Sequence, residues 1–187
     1  MEATAFIAVA LACAPQVNVS TTRALVSVES AFNPWAIGVV RGVLDHQPLN
    51  RAQALSTARA LQASGWNFSV GLGQINIHNL ARLGLTLDAA FEPCANLAAL
   101  QRVLLECFER SQGLSPPHLG DQLVLRRTLS CYYSGKVAAA YHQGYVNKVA
   151  AAAATTAAAT TATAAAVATA AAKATRAHPT TSAKEKS

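Results

Sequence analysis

Several motifs that mark common metal and redox sites are absent from this chain of 187 residues. Its four cysteines form no C-x-x-C pair, no histidine lies at zinc-finger spacing, and the five histidines are dispersed without an H-E-x-x-H motif. These absences argue against a metal site, and we expect neither a metal nor a cofactor. The N-terminal segment MEATAFIAVALACAPQV also lacks the positive residues that open a signal peptide, because Glu2 lies where Lys or Arg is expected.

Charge is sparse and mildly basic. Lys and Arg number 15 against 9 Asp and Glu, which gives a formal net charge of +6. Up to Val149 the chain has 11 basic and 8 acidic residues, or +3, so half of the excess lies in the C-terminal segment. The basic residues are scattered rather than clustered, which argues against a nucleic-acid partner. A charge of this size suits an anionic polymer as well as it suits plain solubility.

Glu29 is one of these few acidic residues and lies in the stretch ALVSVESAFNPWAIG. Leu25, Val28 and Phe32 recur at helical spacing and predict a helix with one apolar stripe, which Pro34 ends. Glu29 falls at the edge of that stripe in the last turn, where burial and the helix dipole both raise the pKa of a carboxyl. Such a group is suited to general acid chemistry near neutral pH. The alternative is an ordinary surface glutamate.

A second stretch, WNFSVGLGQIN at residues 66 to 76, alternates apolar and polar residues. This period of two predicts a strand over residues 66 to 73, and Gly71 and Gly73 predict a close approach of its backbone to another group. Residues 36 to 44 predict an edge of the same small β-lobe. Further helices are predicted over residues 3–13, 50–64, 92–112 and 121–132, from 144 onward, and in a short segment ending at 84.

The motifs ES-x-FNP-x-A-I-G and G-L-G-Q-I-N together resemble the first two motifs of the lytic transglycosylases with a goose-lysozyme-like fold. The resemblance is strongest to the small transglycosylases of type IV secretion and conjugation systems. FEPCANL at 91–97, CYYSG at 131–135 and GYVNKV at 144–149 continue it in the family's order, over most of residues 6 to 149. It implies a mainly α (α+β) lysozyme-like domain at residues 1–149, with residues 3–13 as its first helix rather than a signal peptide.

The resemblance also implies an activity and a site. The enzyme would cleave the β-1,4 bond between MurNAc and GlcNAc of peptidoglycan and leave 1,6-anhydromuramoyl ends. Glu29 would protonate the leaving oxygen and then take the proton of the sugar's own C6 hydroxyl. Two-carboxylate glycosidases need a second acid across the cleft, and we expect none here because Glu106 and Glu109 fall on the solvent side of their predicted helix. The implied substrate-binding residues are Ser30, Asn33, Gly71, Gly73, Gln74, Asn76, Tyr132 and Tyr145.

Each of these residue types also has a purely structural explanation. The serine and asparagine after Glu29 either orient it or end its helix, and the two glycines either admit a glycan or form a tight turn. Gln74 either contacts the sugar or bonds backbone at a strand end, and the tyrosines either line the site or fill the core. One residue departs from the family pattern, because Tyr133 replaces the asparagine that usually follows the first tyrosine.

Three functions remain open at this point. The first is a transglycosylase that opens the cell wall for a secretion or conjugation apparatus, in the periplasm, with peptidoglycan strands and secretion components as partners. The second is a lysozyme-like hydrolase that uses water. The third is a catalytically weak peptidoglycan-binding module of the assembly.

The four cysteines are either paired in disulfides or buried as thiols, and sequence alone does not choose among the three pairings. The periplasm that the resemblance implies favours disulfides. We expect one between Cys94 and Cys131, since both lie at ends of predicted helices. Residues 150–187 consist mostly of Ala and Thr, and this composition predicts a partly helical or disordered low-complexity tail. Its apolar run is long enough to span a bilayer but has too few Leu, Ile and Phe, so we expect no membrane span.

Overall fold

The computed structural model describes residues 1–114, 120–137 and 144–155, which form helices around a small antiparallel sheet. This is a lysozyme-like α+β architecture, as predicted. The helices are α1 (Ala3–Cys13), α2 (Val19–Ser30), α3 (Arg51–Ala63), α4 (Ile77–Leu80), α5 (Pro93–Gly113), α6 (Asp121–Ser134) and α7 (144–155), with a 3-10 turn at Ala89–Phe91. The strands are β1 (Ile37–Val39), β2 (Phe68–Val70) and β3 (Ile75–Asn76).

Helix α2 begins at an asparagine cap and ends earlier than its apolar stripe predicts. The Asn18 side chain accepts a hydrogen bond from the Ser20 backbone N–H at 2.9 Å, which satisfies one of the free donors of the first turn. At the other end Ala31 and Phe32 have left-handed φ angles of 49° and 63°. The helix therefore stops at Ser30, before Pro34, and Glu29 lies next to its last residue.

The β-lobe is a three-stranded sheet in the order β1-β2-β3, with both pairs antiparallel. β1 is an edge strand within the segment predicted for it. The strand predicted over 66 to 73 is shorter than expected, because β2 ends at Val70 and Gly71 turns the chain with a φ of 78°. The Gly71–Gln74 turn then leads directly into β3.

The core lies where α5 is covered by α1, α6 and the sheet. Its fully buried side chains include Phe6, Leu25, Phe68, Leu97 and Leu100. Helix α7 adds Val146 and Val149, and Ala152 and Ala153 also pack against this core. The compact unit accordingly runs from Met1 to Ala153, a little past the predicted limit at residue 149. The tail itself lies outside the described residues from 156 onward, so its character stays a prediction.

All four cysteines are in disulfides, but the predicted bond between Cys94 and Cys131 is wrong. Cys13 pairs with Cys94, and Cys107 pairs with Cys131. Helix α1 packs on α5 and brings its last residue to the start of that helix. Cys94 and Cys107 are 13 residues apart on α5, a distance of about 20 Å in a helix. A cysteine of α6 that lies beside Cys107 therefore cannot reach Cys94.

Within the described ranges, no helix has both the length and the hydropathy needed to cross a bilayer. In the same ranges no group of three or more His, Cys, Asp or Glu residues is arranged to hold a metal ion.

Candidate active site

A cleft of about 1180 Å³ runs between the sheet and the C-terminal halves of α5 and α6. Glu29 lines this cleft, in agreement with its predicted position at the end of α2. The sheet side contributes mainly amide and hydroxyl groups, and the helical side contributes tyrosines and charged residues. The other lining residues used below are Asn67, Ser69, Gln74, Asn76, Glu106, Glu109, Tyr132 and Tyr133.

Glu29 is a half-buried carboxyl with a strongly shifted pKa. Burial raises the pKa of Glu29 from its ordinary value of 4.5 to about 7, against the opposing effect of a hydrogen bond from Tyr145. The Tyr145 hydroxyl donates that bond to Glu29 Oε1 at 2.5 Å. Burial also raises the pKa of Tyr145 well above its usual range, so the phenol stays neutral and remains a donor. The raised pKa predicted for Glu29 is thus confirmed.

Ser30 and Asn33 use their side chains locally. The Ser30 hydroxyl donates to the Val26 carbonyl at 3.1 Å, one turn back in α2. The Asn33 side chain accepts from the Trp35 backbone N–H at 2.9 Å and shapes the turn after the helix. These bonds fit the helix-ending explanation of the two residues. A contact of either one with substrate stays a prediction.

Gly71 and Gly73 are buried against the protein itself. A Cβ at Gly71 would lie 2.2 Å from Asn96 Nδ2 and 2.7 Å from the Ala90 carbonyl oxygen. A Cβ at Gly73 would lie 2.8 Å from Leu100 Cδ1. The close approach that the two glycines predict therefore occurs with α5 and its preceding turn. Direct contact of either glycine with a glycan stays a prediction.

Asn96 is a residue of the site that the sequence interpretation missed. Its side chain, 1% exposed, donates to the carbonyls of Val70 and Ala90 at 3.0 and 2.7 Å and accepts from the Gly73 N–H at 2.7 Å. The amide thereby satisfies three main-chain groups and locks the glycine turn onto α5. A signal was present, since Asn96 lies in the FEPCANL motif next to the apolar face of a helix.

Tyr132 and Gln74 complete this braced turn. The Tyr132 hydroxyl donates to the Gly73 carbonyl at 2.6 Å. Gln74 Nε2 donates to the carbonyls of Ala36 and Gly71 at 3.1 and 3.0 Å, which leaves its Oε1 as an acceptor at the cleft. Gln74 also has a left-handed φ of 50°, and non-glycine residues in that conformation concentrate at functional sites.

Asn76 lines the cleft and also caps α4. Its Oδ1 accepts from the His78 N–H at 3.1 Å, and its Nδ2 donates to Asn67 Oδ1 at 2.7 Å and lies 3.4 Å from Ser69 Oγ. The sheet therefore presents a connected row of polar side chains along one wall. Tyr133, on the other wall, stacks on Tyr145 with ring centroids 4.6 Å apart.

Glu106 and Glu109 lie on the solvent side of α5, as predicted, but that side faces the cleft. Both line the cleft, Glu109 exposed and Glu106 half-buried. Glu106 forms a two-oxygen ion pair with Arg82 Nη1, at 2.8 and 2.6 Å. Helical periodicity identified them correctly as outside the core. It cannot separate a residue that faces bulk solvent from one that faces an open cleft.

The fold and the cleft define a lysozyme-like domain whose acid, Glu29, has a raised pKa. A family model described as Transglycosylase SLT domain matches residues 7–164. The chain therefore belongs to the transglycosylase SLT domain family. No solved structure matches the chain significantly.

Curated relatives give the same family context. The chain is 42% identical over 156 residues to the type IV secretion system protein virB1 of Brucella abortus, an alignment that covers 81% of this chain and 65% of that protein. It is 35% identical over 150 residues to the protein virB1 of Rhizobium radiobacter, with 78% and 59% covered. The chain thus aligns with less than two thirds of the length of these relatives.

Proposed function

We propose that this protein is a peptidoglycan lytic transglycosylase, which cleaves the β-1,4 bond between MurNAc and GlcNAc and leaves 1,6-anhydromuramoyl ends. The state of Glu29 carries this proposal, because burial raises its pKa to about 7 while Tyr145 fixes one of its oxygens. A carboxyl with that pKa is protonated in a large fraction of molecules near neutral pH and can still ionise. It is therefore suited to act first as a general acid and then as a base.

The reaction returns Glu29 to its starting state. The Glu29 proton passes to the glycosidic oxygen as the bond from that oxygen to C1 of MurNAc breaks, and the released GlcNAc keeps the new hydroxyl. The C6 hydroxyl oxygen of the same MurNAc then bonds to C1, and its proton passes to the Glu29 carboxylate. No water is consumed. Holding the nucleophile within the substrate gives an effective molarity of about 10⁵ M or more in favourable cases.

The surroundings of Glu29 support a sugar polymer as substrate. The cleft is open, and its sheet wall offers the side chains of Asn67, Ser69, Gln74 and Asn76. Amide and hydroxyl groups of this kind both donate and accept hydrogen bonds, as the hydroxyl and acetamido groups of amino sugars require. The braced Gly71–Gln74 turn fixes Gln74 Oε1 as one of these acceptors.

The same proposal includes a place of action. The relative from Brucella abortus is named as a type IV secretion system protein, and the two disulfides suit an oxidising compartment. We propose that the protein acts in the periplasm and opens peptidoglycan locally for a secretion or conjugation apparatus, whose components are its proposed partners. We expect cells to release glycan strands through this protein only when they assemble the apparatus. Equal release without the apparatus would contradict this role.

The product of the reaction tests the chemistry. The purified full-length chain is incubated with peptidoglycan in water labelled with heavy oxygen, and the released fragments are weighed by mass spectrometry. We expect 1,6-anhydro ends, lighter by one water than reducing ends and free of the label. Reducing ends that carry heavy oxygen would instead identify a hydrolase. Peptidoglycan that is bound but not cut would identify a binding module.

Hydrolysis is the second candidate because Glu106 and Glu109 line the cleft. In a two-carboxylate hydrolase, one of them would have to serve as the second carboxylate, either as the base for the attacking water or as the nucleophile. For a transglycosylase, we expect Glu106→Gln and Glu109→Gln to keep most of the cleavage rate that Glu29→Gln loses. A loss in either variant comparable to that of Glu29→Gln, with an unchanged melting temperature, would favour hydrolysis.

A further inference from the structure

The cleft contains charged side chains that a neutral sugar chain does not require. Besides Glu29, the charged residues that line it are Arg41, Arg82, Glu106, Glu109 and Arg110. All of these except Arg41 lie on the C-terminal half of α5 or in the turn that follows α4. Charges at a binding surface are usually complementary to charges on the ligand. This part of the cleft therefore indicates a substrate that carries charged groups beside its sugars.

Arg82 offers a guanidinium that is already held in place. Its Nη1 donates to both carboxylate oxygens of Glu106, at 2.8 and 2.6 Å, and its Nε donates to Asn79 Oδ1 at 3.2 Å. The adjacent main chain is fixed as well, because Arg102 Nη1 donates to the Leu83 carbonyl at 2.8 Å. In the part of the chain that the structure describes, Arg82 Nη2 donates no hydrogen bond. It can therefore bind a ligand with little further loss of side-chain entropy.

The ion pair of Arg82 lies along the cleft from the acid. Burial and the charge of Glu29 both raise the pKa of Tyr132, whose hydroxyl donates to the Gly73 carbonyl. The glycine turn packs against Leu100 of α5. Glu106 is six residues further along this helix, a distance of about 9 Å at the rise of a helix. The charged pair is therefore separate from the acid but within the same cleft.

Peptidoglycan has a charged group at a matching distance from its glycan chain. Its sugars carry hydroxyl and acetamido groups, and the lactyl group of MurNAc carries a short peptide stem with free carboxylates. Three residues of such a stem reach about 10 Å when extended, which matches the offset of the ion pair from the glycine turn. A guanidinium binds a carboxylate through charge-assisted hydrogen bonds, which are about twice as strong as those between neutral groups.

We propose that Arg82 binds a carboxylate of the peptide stem, so that the cleft selects glycan strands that still carry their stems. This inference rests on the proposed function for its substrate, and it concerns which strands are bound rather than how the glycosidic bond breaks. Glu106 is a positioning residue in this arrangement, because it orients the guanidinium.

Binding to a catalytically silent parent tests the inference. The full-length Glu29→Gln variant is titrated by calorimetry with three forms of the same soluble glycan strand. One form has intact stems, one has stems with amidated carboxylates, and one has had its stems removed by an amidase, which leaves the lactyl carboxylate. The parent should bind the intact form about tenfold more tightly than either other form, the usual order for a hydrogen bond to a charged group. Adding Arg82→Gln should remove this difference and leave binding of the other two forms unchanged.

Two further variants separate a contact with the stem from an effect on the fold. Arg59→Gln is the matched control, because Arg59 also pairs with both oxygens of a carboxylate, that of Asp88, at 3.1 and 3.0 Å, but does not line the cleft. It should bind all three forms like the parent. Glu106→Gln removes a competing negative charge and keeps an acceptor for the guanidinium, so it should bind the intact form at least as tightly. Melting temperatures establish that each variant is folded.

A parent that binds none of the forms, or that binds intact and amidated stems equally, would overturn the inference. So would a loss in Arg82→Gln that is the same for all three forms, because Arg82 would then act on the sugars or on the fold. Tight binding of the strand without stems that depends on Arg82 would identify the lactyl carboxylate as the ligand and would overturn it too. Product analysis of the wild type is separate. Reducing ends together with a stem preference that depends on Arg82 would retain this inference and reject the proposed reaction.

Discussion

The Gly71–Gln74 turn and the end of α2 carry two parts of the candidate site, and they are held in different ways. Three side chains, Asn96, Tyr132 and Gln74 itself, bond to main-chain groups of the turn or next to it. Within the described residues, the Glu29 carboxyl receives one hydrogen bond, from Tyr145. A carboxylate that accepts several such bonds has a depressed pKa. The sparse bonding of Glu29 together with its burial keeps its proton available, whereas dense bonding makes the turn rigid.

The largest effect should come from removing the proton of the acid. Glu29→Gln keeps the shape and the bond from Tyr145 but cannot shuttle a proton, so peptidoglycan cleavage should fall by about 10²- to 10⁴-fold. The matched control is Glu2→Gln, an identical chemical change at an exposed position, which should cleave like the wild type. Comparable activity in the Glu29 variant would remove this residue from the reaction.

Removing the hydrogen bonds that hold the Gly71–Gln74 turn should lower the stability of the protein. Asn96→Ala leaves the Gly73 N–H and two carbonyls buried without their partner, so the free energy of unfolding should fall by about 3 kcal/mol or more. The exposed Asn147→Ala on α7 is the matched control and should change it by less than about 0.5 kcal/mol. Equal losses in chemical denaturation of the two variants would contradict the role of Asn96.

Ionisation of Glu29, in contrast, should lower the stability of the folded protein. Because the pKa of Glu29 is about 7 when folded and ordinarily 4.5, the folded protein binds more protons than the unfolded chain between these pH values. The stability of the wild type should therefore fall relative to that of Glu29→Gln as the pH rises through this window. The difference should reach about 3 kcal/mol at most by pH 8. If the free energy of unfolding of the wild type and that of Glu29→Gln changed with pH in the same way, the acid would not be buried.

Tyr145 should adjust the pKa of Glu29 rather than cause its rise. Its hydrogen bond opposes the effect of burial, so Tyr145→Phe should raise the pKa of Glu29 further. Cleavage needs the protonated carboxyl first, so wild-type activity should decline above about pH 7. In the variant this decline should move to higher pH by about one unit. A shift to lower pH in the rate profile would contradict the hydrogen bond.

The smallest effect should follow from removing the tail. Helix α7 continues to residue 155, and Ala152 and Ala153 pack on the core, so a deletion should begin at residue 156. Cleavage of isolated peptidoglycan and the melting temperature should both stay within error of the full chain. Extending the deletion to residue 151 should lower the melting temperature, because it removes part of the helix that holds Tyr145.

Local patterns predicted much of this fold. The helix predicted over residues 50–64 is confirmed as α3, which begins where the Asn50 side chain accepts from the Gln53 N–H at 3.0 Å, and the long helix predicted over residues 92–112 is confirmed as α5. Errors arose where one residue's backbone overrides the pattern. Ala31 ends α2 and Gly71 ends β2 by turning left-handed, although the apolar periodicity continues past both positions.

The site was harder to predict because its contacts join distant segments. Periodicity singled out Glu29 and the glycines, but the resemblance was needed to connect them. Two of the three partners of Asn96 lie 23 and 26 residues earlier in the chain, and no local pattern identifies them. The prediction of the disulfide pairing was wrong for the same reason, since the pairing depends on how α1 and α6 pack along α5.

The bond between Tyr145 and Glu29 joins residues 116 positions apart, and this separation has a kinetic consequence. Contacts between distant positions form late, because closing a long loop costs entropy before the contact returns any free energy. A chain that emerges from its N-terminus exposes Glu29 long before residue 145 is available. Until then the Glu29 carboxyl lacks the hydrogen bond that opposes the effect of burial on its pKa. The acid therefore reaches its final pKa only after α7, which carries Tyr145, is in place.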